Sequence, residues 1–234
     1  MQPLLHLSMR WEKLLFMHWP LSASTLEPLL PTGMKVDTFD GEAWLGLVPF
    51  LMRDVHPAGL PAVPGLSAFP ELNLRTYVTV NGVPGVWFFS LEATNPVAVR
   101  IARAGFYLPY FDAWMRTRIY GKEVVFSSTR THRNAPAAVF GARYRPLLSP
   151  PTEDAALLHF LTSRYSLYSA DGEGKLYRAD IRHQTWPLQR AAVSLELPPS
   201  EMTRQLGIDL PDTAPLLHYA ERLEVKAGLP YRVK

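Results

Sequence analysis

The chain has 234 residues with 22 prolines and no cysteine, which excludes disulfides, thiolate metal sites and cysteine nucleophiles. A hydrophobic fraction of 47%, aromatics at 12% and charged residues at 19% exclude intrinsic disorder and are those of a folded globular protein. The net charge is +3, but basic residues are scattered among acidic ones, and the loose groups Arg143/Arg145 and Arg130/His132/Arg133 come with no nucleic-acid-binding motif, so nucleic acid is not an expected partner.

Residues 1–20 hold apolar pieces broken by Arg10, Glu12, Lys13 and His18, too interrupted for a signal peptide or a membrane span; they read as ordinary structure of a cytoplasmic protein. A short helix is predicted over 22–30, then strands over 35–39 and 43–51 joined at Asp40-Gly41. Residues 56–70 carry Pro57, Gly59, Pro61, Pro64, Gly65 and Pro70, which cannot propagate a ladder, and read as a long loop and a lid candidate. Strands over 72–80 and 86–91 make a hairpin through Asn81-Gly82. Asn95 as N-cap, Pro96 at the first helical position and Gly105 beyond the end bracket a helix.

Strands over 110–120 and 123–131 form a second hairpin across Gly121-Lys122, with 137–144 as a third strand of that sheet. Thr152 caps a helix reaching about 163, and strands over 165–170 and 175–183 pair across a glycine-containing turn. Closing strands are predicted over 191–197 and 216–225, with a short helix over 200–206 between them. The expected architecture is α+β, mainly β: one domain over 1–234, a strongly curved or closed antiparallel barrel around an internal pocket, with a few short outer helices.

Side chains alternate across a strand, so Glu71, Asn73, Arg75 and Tyr77 share one face. Tyr110, Asp112, Trp114, Arg116 and Arg118 likewise share one. The plainer reading makes these the solvent faces of half-buried strands. The alternative is that a curved sheet turns them inward around a polar cavity. An acid, an amide, a guanidinium and a phenol in one row favour the second, since each can orient a small polar ligand. The seven histidines are isolated and no carboxylate cluster has ligand spacing, so neither a metal nor another cofactor is expected. Gly65-Leu66-Ser67-Ala68-Phe69 lacks the last glycine of a hydrolase elbow. Trp11, Phe16 and Trp19 are assigned to core or dimer contact rather than to the site.

The runs Val36-Asp37-Thr38-Phe39-Asp40-Gly41-Glu42-Ala43-Trp44 with Pro49-Phe50, Phe69-Pro70-Glu71-Leu72-Asn73-Leu74-Arg75-Thr76-Tyr77-Val78, and Gly85-Val86-Trp87-Phe88-Phe89-Ser90-Leu91 resemble the YqjF-like family of bacterial proteins. Ala102-Arg103, Leu108-Pro109-Tyr110, Trp19-Pro20 and Trp186-Pro187 extend the resemblance over most of the chain. It implies an acetoacetate-decarboxylase-like fold. In the decarboxylases a Schiff-base lysine follows an aromatic-proline pair and is activated by a second lysine. Here Tyr110 and Phe111 stand in that place, so Schiff-base decarboxylation is not expected.

The candidate ligand-binding residues are therefore Glu71, Asn73, Arg75, Tyr77 and Tyr110. Arg75 is placed on a carboxylate or enolate oxygen, Glu71 on a proton and Tyr110 on a developing oxyanion. Three functions stay open: an enzyme acting on a small oxo-acid or related carboxylate, a non-catalytic metabolite-binding or sensing protein, and a structural or partner-binding module. The expected partner is a small carboxylate, with no membrane and with homo-oligomerisation open.

Overall fold

The computed structural model describes residues 6–233. Its strands are β1 (His6–Leu21), β2 (Lys35–Val36), β3 (Ala43–Pro57), β4 (Phe69–Val80), β5 (Val83–Ala93), β6 (Tyr110–Tyr120), β7 (Glu123–Arg130), β8 (Val139–Pro146), β9 (Ser166–Ala170), β10 (Leu176–His183), β11 (Gln189–Leu197), β12 (Leu216–Gly228) and β13 (Tyr231–Arg232). The helices are α1 (Ala23–Leu26), α2 (Pro96–Phe106), α3 (Ala155–Thr162) and α4 (Ser200–Arg204). The predicted 22–30 helix is shorter because Pro28, which lacks an N–H, falls in a 3-10 turn over Glu27–Leu29. The broken apolar stretch at the start, assigned to no element from sequence, is the long strand β1. None of the helices is long and apolar enough to cross a membrane.

The strands form one sheet that closes on itself twice. Strands β12, β1, β3, β4 and β5 make a continuous antiparallel wall. The free edges of β5 and β12 are each shared between two partners. The start of β5 pairs with β9 and the end of β12 with β10, which closes a smaller ring. The end of β5 pairs with β6 and the start of β12 with β11, which closes a larger ring through β7 and β8. Both β5–β9 and β5–β6 are parallel, two short exceptions in an otherwise antiparallel ladder.

Over 14–19, 43–52 and 71–78 the wall is buried on both faces, whereas Arg222, Glu224 and Lys226 of β12 meet solvent. Met9, Leu14, Phe16, Trp44, Val48 and Phe50 belong to the core of the smaller ring. Leu15, Met17, Leu45, Leu47, Leu72 and Leu74 belong to that of the larger. Period-two alternation assigns each residue to one ring or the other. It is reset once in β1, where Lys13 takes φ 56 in an irregular stretch, so that Trp11 and Leu14 both face the smaller ring.

Local caps agree with this frame. Asn95 Oδ1 accepts from the N–H groups of Val97 and Ala98, and its Nδ2 donates to the Leu66 carbonyl, so one side chain starts α2 and ties down the proline-rich loop. That loop is shorter than predicted because β3 runs on to Pro57. Gly105 lies inside α2; the left-handed residue that ends it is Tyr107, whose ring packs on Tyr177 at 4.5 Å. The cap of α3 is Asp154 rather than Thr152.

Closure of the smaller ring leans on Gly85. A Cβ there would stand 2.6 Å from the Ser166 carbonyl oxygen and 2.6 Å from the Tyr168 ring. Gly85→Ala is expected to cost about 3 kcal/mol, which in a chain of this size lowers Tm by roughly 6–12 °C. An unchanged melting curve would contradict the β5–β9 contact.

Candidate functional site

Strand β4 runs through the wall with Glu71, Asn73, Arg75 and Tyr77 on the side of the smaller ring. All four are buried, from 0% exposure at Tyr77 to 9% at Arg75. Their neighbours across the sheet follow from the register. His18, Gly46, Arg75 and Phe88 form one row; Val48, Asn73, Leu91 and Tyr110 the next; Phe50, Glu71 and Ala93 the third. Tyr110 comes in from β6, part-buried, and donates from its hydroxyl to Glu71 Oε2 at 2.9 Å. The structure thus brings together all five residues singled out from sequence.

Burial pushes the Glu71 carboxyl up to about 8, with repulsion from Glu92 adding to the effect and the Tyr110 hydrogen bond opposing it. At neutral pH Glu71 is therefore mostly the neutral acid. Burial, reinforced by Glu71, holds the Tyr110 phenol well above its ordinary value, so Tyr110 remains a donor.

Arg75 is a buried cation without a carboxylate. Among the described residues no acidic oxygen lies within ion-pair distance of it, and its Nε has no protein partner. Its guanidinium makes one long hydrogen bond from Nη2 to Tyr77 Oη, 3.4 Å, and lies 5.5 Å from the Phe16 ring and 5.7 Å from the Tyr77 ring. The two other well-buried arginines are paired: Arg130 with Glu92 in the larger ring, and Arg164 with Asp37 at 2.5 Å. Glu92 and Arg130 form a saturated structural link, in which Arg130 also reaches Gln205 and the Pro136 carbonyl.

Buried side-chain polar atoms without a protein partner concentrate around this row. Of the ten among the described residues with neither a hydrogen bond nor an ion pair, six belong to residues facing the smaller ring from the wall: Trp11 Nε1, His18 Nδ1, Trp44 Nε1, Asn73 Oδ1, Arg75 Nε and His218 Nδ1; His218 Nε2 lies 3.1 Å from Glu153 Oε2. Most buried polar atoms are satisfied within a fold, so such a concentration marks a place built for something polar. No three His, Asp or Glu side chains converge there as a metal cage among the described residues.

The face predicted along β6 divides. Tyr110 points into the smaller ring, but Trp114, Arg116 and Arg118 are exposed, because β6 pairs with β5 only through Asp112 and then leaves with β7 to wall the larger ring. For those three the plainer reading of a solvent face holds. Among the described residues, one surface cavity touches the row only at Phe88 and another lies apart from it. One, of about 540 Å³, opens where β6 and β9 part from β5 and includes Phe88, Arg103, Tyr107 and Phe111. The other, of about 260 Å³, lies by β10 and β12 near Arg182 and Lys226.

Sequence reasoning missed His18 and His218; Trp11, assigned to core or dimer contact, packs on the core against Phe50 and Trp186. The signal was present in the alternation of residues 14–18, where Leu14, Phe16 and His18 share a face, but it went unread because the segment was not taken as a strand.

Residues 8–224 match the model of DUF2071, described as an uncharacterized conserved protein. The chain belongs to this family. It is 44% identical over 216 residues to the uncharacterized protein YqjF of Bacillus subtilis strain 168, covering 92% of this chain and 87% of that one. Among solved structures, it superposes on an acetoacetate decarboxylase-like enzyme from Sphingomonas wittichii RW1 with TM-score 0.65 and 15% identity, covering 97% and 93% of the two chains. The acetoacetate decarboxylase of Legionella pneumophila gives 0.66 at 13% identity, covering 97% and 87%. The enduracididine biosynthesis enzyme MppR complexed with pyruvate gives 0.63 at 10% identity, covering 100% and 91%. At these identities the likeness establishes an acetoacetate-decarboxylase-like fold for this DUF2071 chain and no activity.

Proposed function

We propose that the protein acts on a small carboxylate, an oxo-acid or a close relative, held inside the smaller ring. The observation that carries this reading is Arg75, a buried cation facing the same ring as Glu71 and Tyr110 with no carboxylate of its own. A ligand carboxylate would supply the missing charge in a bidentate pair. Successive residues on a strand face are about 7 Å apart, so Asn73 stands between that anchor and the Glu71–Tyr110 pair, whose strand position lies about 14 Å from that of Arg75.

Glu71, neutral at pH 7 and oriented by Tyr110, is the group that moves a proton, and Tyr110 serves as donor to an oxyanion once the neutral acid donates to the phenol oxygen and frees its single proton. Schiff-base chemistry has no support here. Position 110 is tyrosine, and none of the five described lysines, Lys13, Lys35, Lys122, Lys175 and Lys226, is buried. That absence among the described residues favours a second reading, a sensing or carrier protein using the same ring. Phe88, the β5 partner of Arg75, also lines the crevice where β6 and β9 part from β5. We place the cysteine-free chain in the cytoplasm.

The test is a thermal-shift and turnover panel of small oxo-acids, with Arg75→Ala and Glu71→Ala alongside the parent. Saturation at 100 times Kd is expected to stabilise the parent by about 2.7 kcal/mol, and the same ligand concentration to stabilise Arg75→Ala by no more than about 0.4–1.4 kcal/mol. Turnover lost in both variants supports the enzyme; a thermal shift without turnover supports the carrier. Turnover that survives both substitutions unchanged refutes the assigned roles.

A further inference from the structure

The Tyr77 hydroxyl sits among three partners. It is 2.8 Å from the Leu161 carbonyl oxygen, 2.7 Å from His18 Nε2 and 3.4 Å from Arg75 Nη2. A carbonyl only accepts and a guanidinium only donates, so the single phenolic proton goes to Leu161. The His18 contact can then be a hydrogen bond only if Nε2 carries the proton and donates to Tyr77. This fixes the tautomer, because a neutral imidazole has one N–H, and Nδ1 is left with its lone pair.

His18 is fully buried and its Nδ1 has no protein partner. Burial, with Arg75 and His218 nearby, holds the imidazole well below its ordinary value, which keeps it neutral. Its plane is set by stacking on Phe16, ring centroids 5.9 Å apart and 15° between planes. His18 and Arg75 flank Gly46 in one row, and a Cβ on Gly46 would come within 3.1 Å of His18 and 3.4 Å of Arg75, so the missing side chain leaves the two functional groups side by side. Asn73 Oδ1, two residues along the same face, is a second acceptor without a partner.

Resting on the ligand site proposed above, we infer that His18 is a specificity residue whose Nδ1 accepts a hydrogen bond from the ligand, so that the ligand is a carboxylate bearing a hydroxyl, a hydroxy acid or the enol form of an oxo-acid. Arg75 takes the anionic end, and His18 Nδ1 takes the single hydroxyl proton. Among the groups around this row, Arg75 and the indoles of Trp11 and Trp44 offer donors, while His18 and Asn73 offer acceptors. A plain fatty acid would satisfy the first set and leave the second bare.

Two measurements test this on the full chain. In histidine-labelled protein, the ¹⁵N spectrum of the free wild type is expected to show His18 as the Nε2–H tautomer with a non-protonated Nδ1, and a protonated Nδ1 would overturn the inference without touching the ligand site. Calorimetry then compares lactate with propionate and 3-hydroxybutyrate with butyrate. Wild type is expected to prefer a hydroxy acid over its deoxy partner by about tenfold, the worth of one hydrogen bond. His18→Gln, which keeps a group near Nε2 but none at Nδ1, loses the preference while still binding the deoxy acid. His18→Asn, which restores an acceptor near Nδ1, regains part of it. Equal binding of both members of each pair, abolished by Arg75→Ala, would overturn the role of His18 and leave the ligand site standing. Failure of all four acids to bind would overturn both.

Discussion

Arg75→Met is expected to make the protein more stable and less able to bind. A buried cation loses several kcal/mol of hydration, and within the fold Arg75 recovers only one long hydrogen bond and two aromatic contacts. Methionine fills similar space, packs against Phe16 and Tyr77 and carries no charge. The expected gain is about 1–4 kcal/mol, a rise in Tm of several degrees by chemical or thermal denaturation. Carboxylate affinity in the same variant should fall by about ten- to a hundredfold, the worth of a charge-assisted hydrogen bond. This divergence is what distinguishes a residue kept for a ligand from one kept for the fold. If stability and affinity fell together, the charge of Arg75 would be compensated within the protein, and the central argument for the site would fail.

Glu71→Gln should remove a pH dependence of stability. The unfolded glutamate ionises near 4.5 and the folded one near 8, so between those values the folded chain holds a proton that the unfolded chain has released. Stability contributed by the neutral acid is therefore complete below about 4.5 and is lost as pH rises to about 8. At 1.36 kcal/mol per unit, the total reaches at most about 5 kcal/mol. Denaturant titrations from pH 5 to 9 should show the wild type weakening across this window more steeply than Glu71→Gln, which is the more stable of the two at pH 9. Glu92 is present in both proteins and cancels in the comparison. Tyr110→Phe removes a hydrogen bond that favours the carboxylate, so its decline should extend to higher pH. Identical slopes for wild type and Glu71→Gln would rule out the raised carboxyl.

The polar row of β4 was legible in the sequence because alternation alone reveals it, and so was the hairpin that follows, whose Asn81 and Gly82 take the left-handed values of 50° and 74° that such a turn requires. The direction in which the row points was harder to read. Alternating polarity usually marks a solvent face, and here it is overturned by a wall buried on both sides. The hint lies one strand earlier: residues 43–52 contain no charge and are buried throughout, the pattern of a strand covered on both faces, and its neighbour must share that fate. The split of β6 was not legible, because pairing to β5 over 110–112 and departure thereafter depend on the twist of the sheet and leave no mark on residue type. His18 was hidden for another reason: its importance comes from Tyr77, fifty-nine positions away, whose one proton is spent elsewhere.

The wall also dictates an order of assembly. His6 pairs with Gly228 and His18 with Leu216, so β1 is made long before the partner β12 that completes its ladder. Until β12 arrives neither ring can shut, and the apolar run from Leu14 to Met17, wholly buried in the finished protein, has only β3 to lie against. Ladders joined over such sequence distances form slowly, and the interval exposes sticky surface. Neither ring therefore exists as an enclosure while translation of β12 is still to come.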